Sequence, residues 1–275
     1  MSGKLMILAA GMSSRMKKSF NKDLDFLQLK QANSRPKCMI ELGQSKTPFL
    51  FYLLKNSRQA GFKEICIILN VKDCFTESYF RQNFGENLKI FFIYQNLPKN
   101  RLKPMGTADA VLQGVKSLSH WKETSFVVCN SDNLYSVNAF KILLNSVSKN
   151  AMINYDFSGL CVDRKKIYSF SVIVSDSEGY LSNIIEKPNE QQIKFATKAN
   201  RIGISMNIFK FYVDDILTYL EQCPVTDSRN EKELPTAVQL MINDKSKIMK
   251  TYLLSEAVPD LTNKSDITKV EEYLN

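Results

Sequence analysis

The sequence predicts an α/β fold, a mostly parallel mixed sheet flanked by helices in a single domain over residues 1–275, and three observations carry that prediction. Short apolar runs alternate with amphipathic segments as far as residue 130, which is the rhythm of crossover connections and therefore of parallel strands with helices on both faces. After about residue 150 the apolar runs crowd together between turn residues and extend the same sheet. No linker, repeat or biased stretch interrupts the chain, which is long enough to bury a substantial core.

A strand over 5–10 breaks at Gly11, and a long polar segment over 17–35 follows. Thr47 as N-cap and Pro48 at the first helical position open a helix over 47–60. A strand over 64–70, a helix near 74–83 and a strand over 88–94 come next. The helix from Thr107 places Ala108, Val111, Leu112, Val115 and Leu118 on one face, and a strand over 125–130 follows it. Strands are then expected over 157–163, 168–175, 181–186 and 201–208, with Ser177-Glu-Gly179 as the turn between the second and third. Helices over 211–221, 233–243 and 265–274, with a strand over 248–254, close the chain.

Composition narrows the function classes. With 44% hydrophobic and 24% charged residues, 10 Gly and 8 Pro, the chain is an ordinary globular one, not collagen-like, low-complexity or disulfide-stapled. The formal charge of +9 favours an anionic partner, whether nucleic acid, a membrane surface or a phosphorylated small molecule. The six cysteines form no C-x-x-C pair and there is one histidine, which excludes a zinc site of the usual spacing. Cys66 and Cys129 interrupt apolar runs and read as buried free thiols, so no disulfides and a reducing, cytoplasmic location are expected. His120 falls in a polar loop, which leaves no Ser-His-Asp or Cys-His hydrolase. The first apolar stretch is too short for a secretory signal, and no run is long enough to span a bilayer.

The chemistry begins at Leu8-Ala-Ala-Gly-Met-Ser-Ser-Arg-Met16, a strand that breaks into a turn of small residues. Such a turn exposes successive backbone N–H groups to a phosphate, and Arg15 adds a bidentate donor; an ordinary βα turn with a surface arginine is the plainer alternative. The spacing is neither a P-loop nor G-x-G-x-x-G. Asp132 ends an apolar strand at the carboxyl edge of a parallel sheet, where it reads as a metal ligand or as a helix N-cap. Asp260 after Pro259 reads as a second carboxylate or as a turn residue, and Asp266 as an early residue of the last helix. Lys37 follows Pro36 and Lys187 precedes Pro188, so each ammonium is restrained in direction; solvated surface lysines are the alternative.

Leu8-Ala-Ala-Gly-x-x-x-Arg-Met16 resembles the signature loop of the sugar-1-phosphate nucleotidyltransferases, the NDP-sugar pyrophosphorylases, and further stretches match in the same order. Arg35-Pro-Lys-Cys-Met-Ile-Glu-Leu42 resembles the family's Pro-Lys segment, Pro104-Met-Gly-Thr-Ala108 its Gly-Thr-Ala helix start and Asn130-Ser-Asp-Asn-Leu-Tyr135 its metal strand. Ile185-Glu-Lys-Pro188 resembles its Glu-Lys-Pro turn, and Pro259 to Asp266 its late Asp-x-x-Thr-x-x-Asp segment.

The resemblance implies a Rossmann-like sheet of the nucleotide-diphospho-sugar transferase type and an enzyme that joins a sugar 1-phosphate to UTP, dTTP or CTP, giving an NDP-sugar and pyrophosphate. It assigns Arg15 and Lys37 to catalysis, Leu8, Ala9, Ala10, Gly11, Gln95, Gly106 and Thr107 to the nucleotide, Glu186 and Lys187 to the sugar phosphate, and Asp132 and Asp260 to Mg²⁺. The partners it implies are the two substrates, with no nucleic acid and no membrane. Relatives are often oligomers, which leaves self-association of the chain open, and a C-terminal β-helix extension is not expected. Within the class, the alternative is a cytidylyltransferase acting on phosphocholine or another phosphorylated alcohol. Outside it, the alternative is a non-catalytic nucleotide-binding regulator. Ser13, Ser131 and Ser169 depart from family glycines, and residues 17–35 are longer and more basic than the family loop, as a lid or a charged surface loop.

Overall fold

A computed structural model describes residues 3–84, 88–99, 101–227 and 229–274. In chain order the first elements are β1 (Gly3–Ala9), α1 (Ser14–Lys18), α2 (Phe26–Ser34), β2 (Glu41–Leu42), β3 (Thr47–Pro48), α3 (Phe49–Ala60), β4 (Phe62–Asn70), α4 (Thr76–Asn83) and β5 (Lys89–Gln95). Next come α5 (Thr107–Ser117), β6 (Ser125–Asn130), α6 (Val137–Asn145), β7 (Ala151–Asp156), β8 (Ser171–Ser175), β9 (Leu181–Glu186) and α7 (Glu190–Ala196). The last are β10 (Gly203–Ser205), β11 (Phe209–Tyr212), α8 (Val213–Gln222), α9 (Leu234–Asp244), β12 (Lys250–Leu254) and α10 (Lys264–Leu274). Among the described residues no helix is long and apolar enough to cross a membrane.

These elements gather into two compact units. The first holds residues up to Pro104 together with Asn130–Phe140 and the stretch from Pro259. In it β4 runs parallel to β1 on one side and to β5 on the other, with Leu5 opposite Ile65 and Ile65 opposite Ile90. The run Ile65 to Leu69 is apolar on both pleat faces and fully buried, as a central parallel strand must be. α3 buries Phe49, Leu50, Leu53, Leu54 and Ser57 along one stripe and ends at Gly61, whose φ of 108° closes the helix. The Phe140 ring meets Phe62 and Tyr135 edge-on, with centroids 5.5 Å and 5.9 Å away.

Two local expectations change in this unit. α3 starts one residue beyond the predicted Pro48, because Thr47 and Pro48 pair with Leu42 and Glu41 as a short antiparallel ladder. The segment over 17–35 is not all loop, since α2 forms within it behind a capping box. Asp25 accepts the N–H of Gln28 at 2.7 Å and the Gln28 side chain accepts that of Asp25 at 3.3 Å. Phe26 and Leu27 lie on the exposed side of α2, so no inward apolar stripe announces this helix.

The second unit holds Met105–Cys129 and Lys141–Val258. Its strands pair mostly antiparallel, β6 with β11, β11 with β7, β7 with β10, β10 with β8 and β8 with β9, while β12 runs parallel to β7. With the parallel ladder of the first unit, this is the mixed α/β class expected. The strand predicted over 157–163 is instead β7, which ends at Asp156. Asp156 and Asp163 accept the N–H groups of Ser158 and Lys165 and curl the chain into 3₁₀ turns. The strand predicted over 201–208 splits into β10 and β11 around Asn207, whose φ of 55° breaks the extended run and makes α8 begin at Val213 rather than 211.

Candidate active site

β1 delivers the chain to the carboxyl edge of the three parallel strands, where open α/β sheets collect ligands. Leu8, Ala9 and Ala10 are buried as the strand ends. The Leu8 carbonyl accepts the N–H of Ser131 at 3.1 Å, and that of Ala10 accepts the side-chain amide of Asn70 at 3.0 Å. Gln95, buried at the end of β5, lies opposite Asn70 in register and so reaches the same edge. Gly11 then emerges, and a Cβ added there would meet nothing within 4 Å. The open space is a cavity of about 280 Å³ bordered by Gly11, Ser13, Arg35, Asp73, Cys74 and Phe75. Ser13 takes a left-handed φ of 53°, and α1 follows with Arg15 exposed.

Lys37 opens a 3₁₀ turn directly after Pro36, and its ammonium donates to Asp132 Oδ2, with both side chains 16% exposed. Asp132 lies just beyond β6, and main-chain hydrogen bonds draw the chain from Pro259 alongside it. The N–H of Leu261 donates to the Asp132 carbonyl at 2.8 Å and that of Leu134 to the Pro259 carbonyl at 2.9 Å. Asp260 is thereby held opposite Asn133, and the Thr262 hydroxyl lies 2.9 Å and 3.0 Å from its two carboxylate oxygens. Burial and the Asp132 charge push the Asp260 carboxyl up to about 6, with Lys37 opposing. Asp266 caps this loop from the first turn of α10, accepting the N–H groups of Thr262 and Asn263, which is the helical role read for it.

Two carboxylates forced together and offset by one ammonium form the environment that a hard divalent cation relieves. Among the described residues there is no cluster of three or more His, Cys, Asp or Glu that could hold a metal. A pair of carboxylates suits Mg²⁺, which takes one or two and completes its shell with water and phosphate oxygens.

In the second unit, Gly106 precedes α5 with φ 108°, and a Cβ there would fall 2.5 Å from the Lys232 carbonyl oxygen. Thr107 accepts the N–H of Leu234 on its hydroxyl at 2.8 Å, so the Gly-Thr pair seats the 232–234 backbone against the helix start. Glu186 ends β9 and accepts the Ser171 hydroxyl at 2.5 Å. Lys187 follows in a left-handed conformation, φ 45°, a strained state for a lysine of the kind that concentrates at ligand sites. Of the candidate residues, the first unit thus contains Leu8 to Gly11, Arg15, Lys37, Gln95, Asp132 and Asp260, and the second Gly106, Thr107, Glu186 and Lys187.

The model of the nucleotidyl transferase family matches residues 32–271. The chain belongs to that family. This nucleotidyl transferase is 26% identical over 242 residues to a bifunctional sugar-1-phosphate nucleotidylyltransferase/acetyltransferase of Sulfurisphaera tokodaii, covering 88% of the chain and 48% of the relative. It is 21% identical over 175 residues to a glucose-1-phosphate adenylyltransferase of Koribacter versatilis, covering 61% of the chain and 41% of the relative. The chain therefore spans less than half the length of either curated relative. A crystal structure of a UDP-glucose pyrophosphorylase complexed with UDP-glucose shares the fold at TM-score 0.69 and 17% identity, over 100% of this chain and 98% of that one.

Side chains that support the site went unread in the sequence. Thr262 stood inside a recognised motif, and its hydroxyl was the available signal. Ser171 carried no signal, because only strand pairing sets it opposite Glu186. Lys264 carried none either, its acceptors lying in a segment remote in sequence.

Proposed function

We propose that this nucleotidyl transferase joins a sugar 1-phosphate to UTP, dTTP or CTP, giving an NDP-sugar and pyrophosphate. The observation that carries the reading is the assembly of Lys37, Asp132 and Asp260 beside the open turn of Gly11 and Arg15. The cations Arg15 and Lys37 offset phosphate charge and the two carboxylates suit a divalent cation, so the reading gives the chain no nucleophile and makes the sugar's own phosphate attack. A phosphate oxygen forms the new bond to the α-phosphorus, the bond from that phosphorus to the β-bridging oxygen breaks, and the electron pair leaves with pyrophosphate. No proton need move, because the attacking phosphate is ionised at neutral pH.

Arg15 and Lys37 hold the triphosphate and offset charge at the α-phosphorus. The turn from Leu8 to Gly11, with Gln95, receives the nucleoside. Glu186, oriented by Ser171, takes a sugar hydroxyl, and Lys187 the sugar's phosphate. Mg²⁺, when held by Asp132 and Asp260, would supply charge neutralisation on the nucleotide phosphates. The free state of all six cysteines supports a reducing, cytoplasmic setting, and the charge of +9 suits anionic substrates.

The test is pyrophosphate release with Mg²⁺ across ATP, GTP, CTP, UTP and dTTP, each crossed with a panel of sugar 1-phosphates and with phosphocholine. Release that needs both a pyrimidine nucleotide and a sugar 1-phosphate is expected. Release with phosphocholine alone reassigns the acceptor, and nucleotide binding without release across the panel points to a regulatory relative.

A further inference from the structure

The turn that presents Arg15 is tied at both ends, and each tie leads to a segment carrying another charged group of the site. At its near end the Ser13 hydroxyl accepts the backbone N–H of Lys37 at 3.1 Å. Ser13 is buried and holds a left-handed φ of 53°, a conformation glycine adopts freely and serine does not. Strain of that kind persists where surrounding bonds over-determine it, and the bond to Lys37 is one that glycine could not make.

At its far end the turn meets Lys264, 3% exposed, at the start of α10 just beyond Asp260. The Lys264 ammonium donates to the carbonyls of Lys17 at 3.1 Å and Ser19 at 2.7 Å, and its backbone N–H donates to the Ser19 hydroxyl at 2.9 Å. A buried ammonium is costly unless it is well satisfied, and this one is satisfied by main-chain carbonyls at the C-terminal end of α1.

We propose that Ser13 and Lys264 are positioning residues that hold the Arg15 turn in register with Lys37 and with the Asp260 segment, and so set affinity for the triphosphate. The inference rests on the proposed function, in which Arg15 and Lys37 hold that triphosphate. A cradle fixed before binding spares the ligand the cost of ordering it, so loosening either tie weakens phosphate binding and leaves sugar-phosphate binding alone.

Ser13→Gly separates positioning from stability, because it removes the tie and relieves the strain together. The variant is expected to melt no earlier than the wild type, to raise the triphosphate KM about tenfold, and to leave the sugar-phosphate KM unchanged. Its affinity for inorganic tripolyphosphate, titrated calorimetrically, falls by a similar factor. Lys264→Met acts in the same direction on both phosphate readouts. A Ser13→Gly enzyme with wild-type triphosphate KM overturns the proposal. If the wild type turns over no substrate pair, the proposed function fails, and the tripolyphosphate titration still decides this inference: equal affinity in wild type and Ser13→Gly, including none in either, overturns it.

Discussion

Gly11 and Gly106 stand in two turns that look alike in sequence, each a glycine among small residues ahead of a helix, yet their surroundings are opposite. Around Gly11 a Cβ would meet nothing within 4 Å, whereas at Gly106 it would run into the Lys232 backbone at 2.5 Å with φ already at 108°. The fold requires the second glycine and does not require the first. Under the proposed function, smallness at position 11 keeps open the cavity beside it for the triphosphate. A glycine's role is decided by what surrounds it, and two motif glycines of equal prominence divide here between tight packing and open space.

The widest separation between chemistry and fold is expected at Asp132. Asp132→Ala should cut turnover about 10³-fold, about 4 kcal/mol of transition-state stabilisation, while circular dichroism shows the fold retained. An alanine variant within tenfold of wild type would remove the carboxylate pair from the mechanism. Gly106→Ala belongs on the other side of the divide and should cost about 3 kcal/mol in urea unfolding, from backbone strain and overlap with Lys232. An unmoved midpoint would sink its assignment to packing. Gly11→Ala should unfold within about 0.5 kcal/mol of wild type and raise the triphosphate KM about tenfold, about 1.4 kcal/mol. The opposite pattern, lost stability with an unchanged KM, would erase the contrast.

Thiol labelling gives the smallest effect. Cys74 and Cys161 are exposed, and Cys74 borders the cavity beside Gly11. Nucleotide should slow alkylation of Cys74 a few-fold and leave Cys161, in the second unit, unchanged; equal protection of both would detach the cavity from the ligand. Cys38 should stay unlabelled in the native protein from pH 7 to 9, since burial and then the Asp73 charge raise its thiol to about 12. The folded state holds that proton more tightly than the unfolded one. Its stabilising contribution is therefore complete below the ordinary thiol range and is lost as pH climbs toward 12.

Strand β9 ends where the alternation predicts, and β6 matches its apolar run residue for residue, because both are short runs bounded by polar turns. The segment ending at Asp156 was harder to place. Phe157 and Leu160 continue the apolar look of β7, while the Asp156 side chain pulls the backbone into a turn. α2 was hidden for the converse reason. Its phenylalanine and leucine face solvent, so periodicity was silent and the Asp25–Gln28 capping box was the one usable cue. Of the candidate residues, Arg15, Lys37, Asp132 and Lys187 were legible because each sits in a short string whose backbone is constrained by glycine, proline or a strand end.

Local order in the chain was enough to establish the α/β class, the positions of its parallel strands to within two residues and the charged candidates in its turns. Those properties follow from periods of two or about four residues and from the preferences of Gly and Pro, which act over a few bonds. The pairing of Asp132 with Asp260, the seat of Lys264 under the carbonyls of Lys17 and Ser19, and the different fates of Gly11 and Gly106 emerged only on folding. Each is a contact between segments far apart along the chain, chosen by how packed segments meet and by main-chain hydrogen bonds that every residue offers alike.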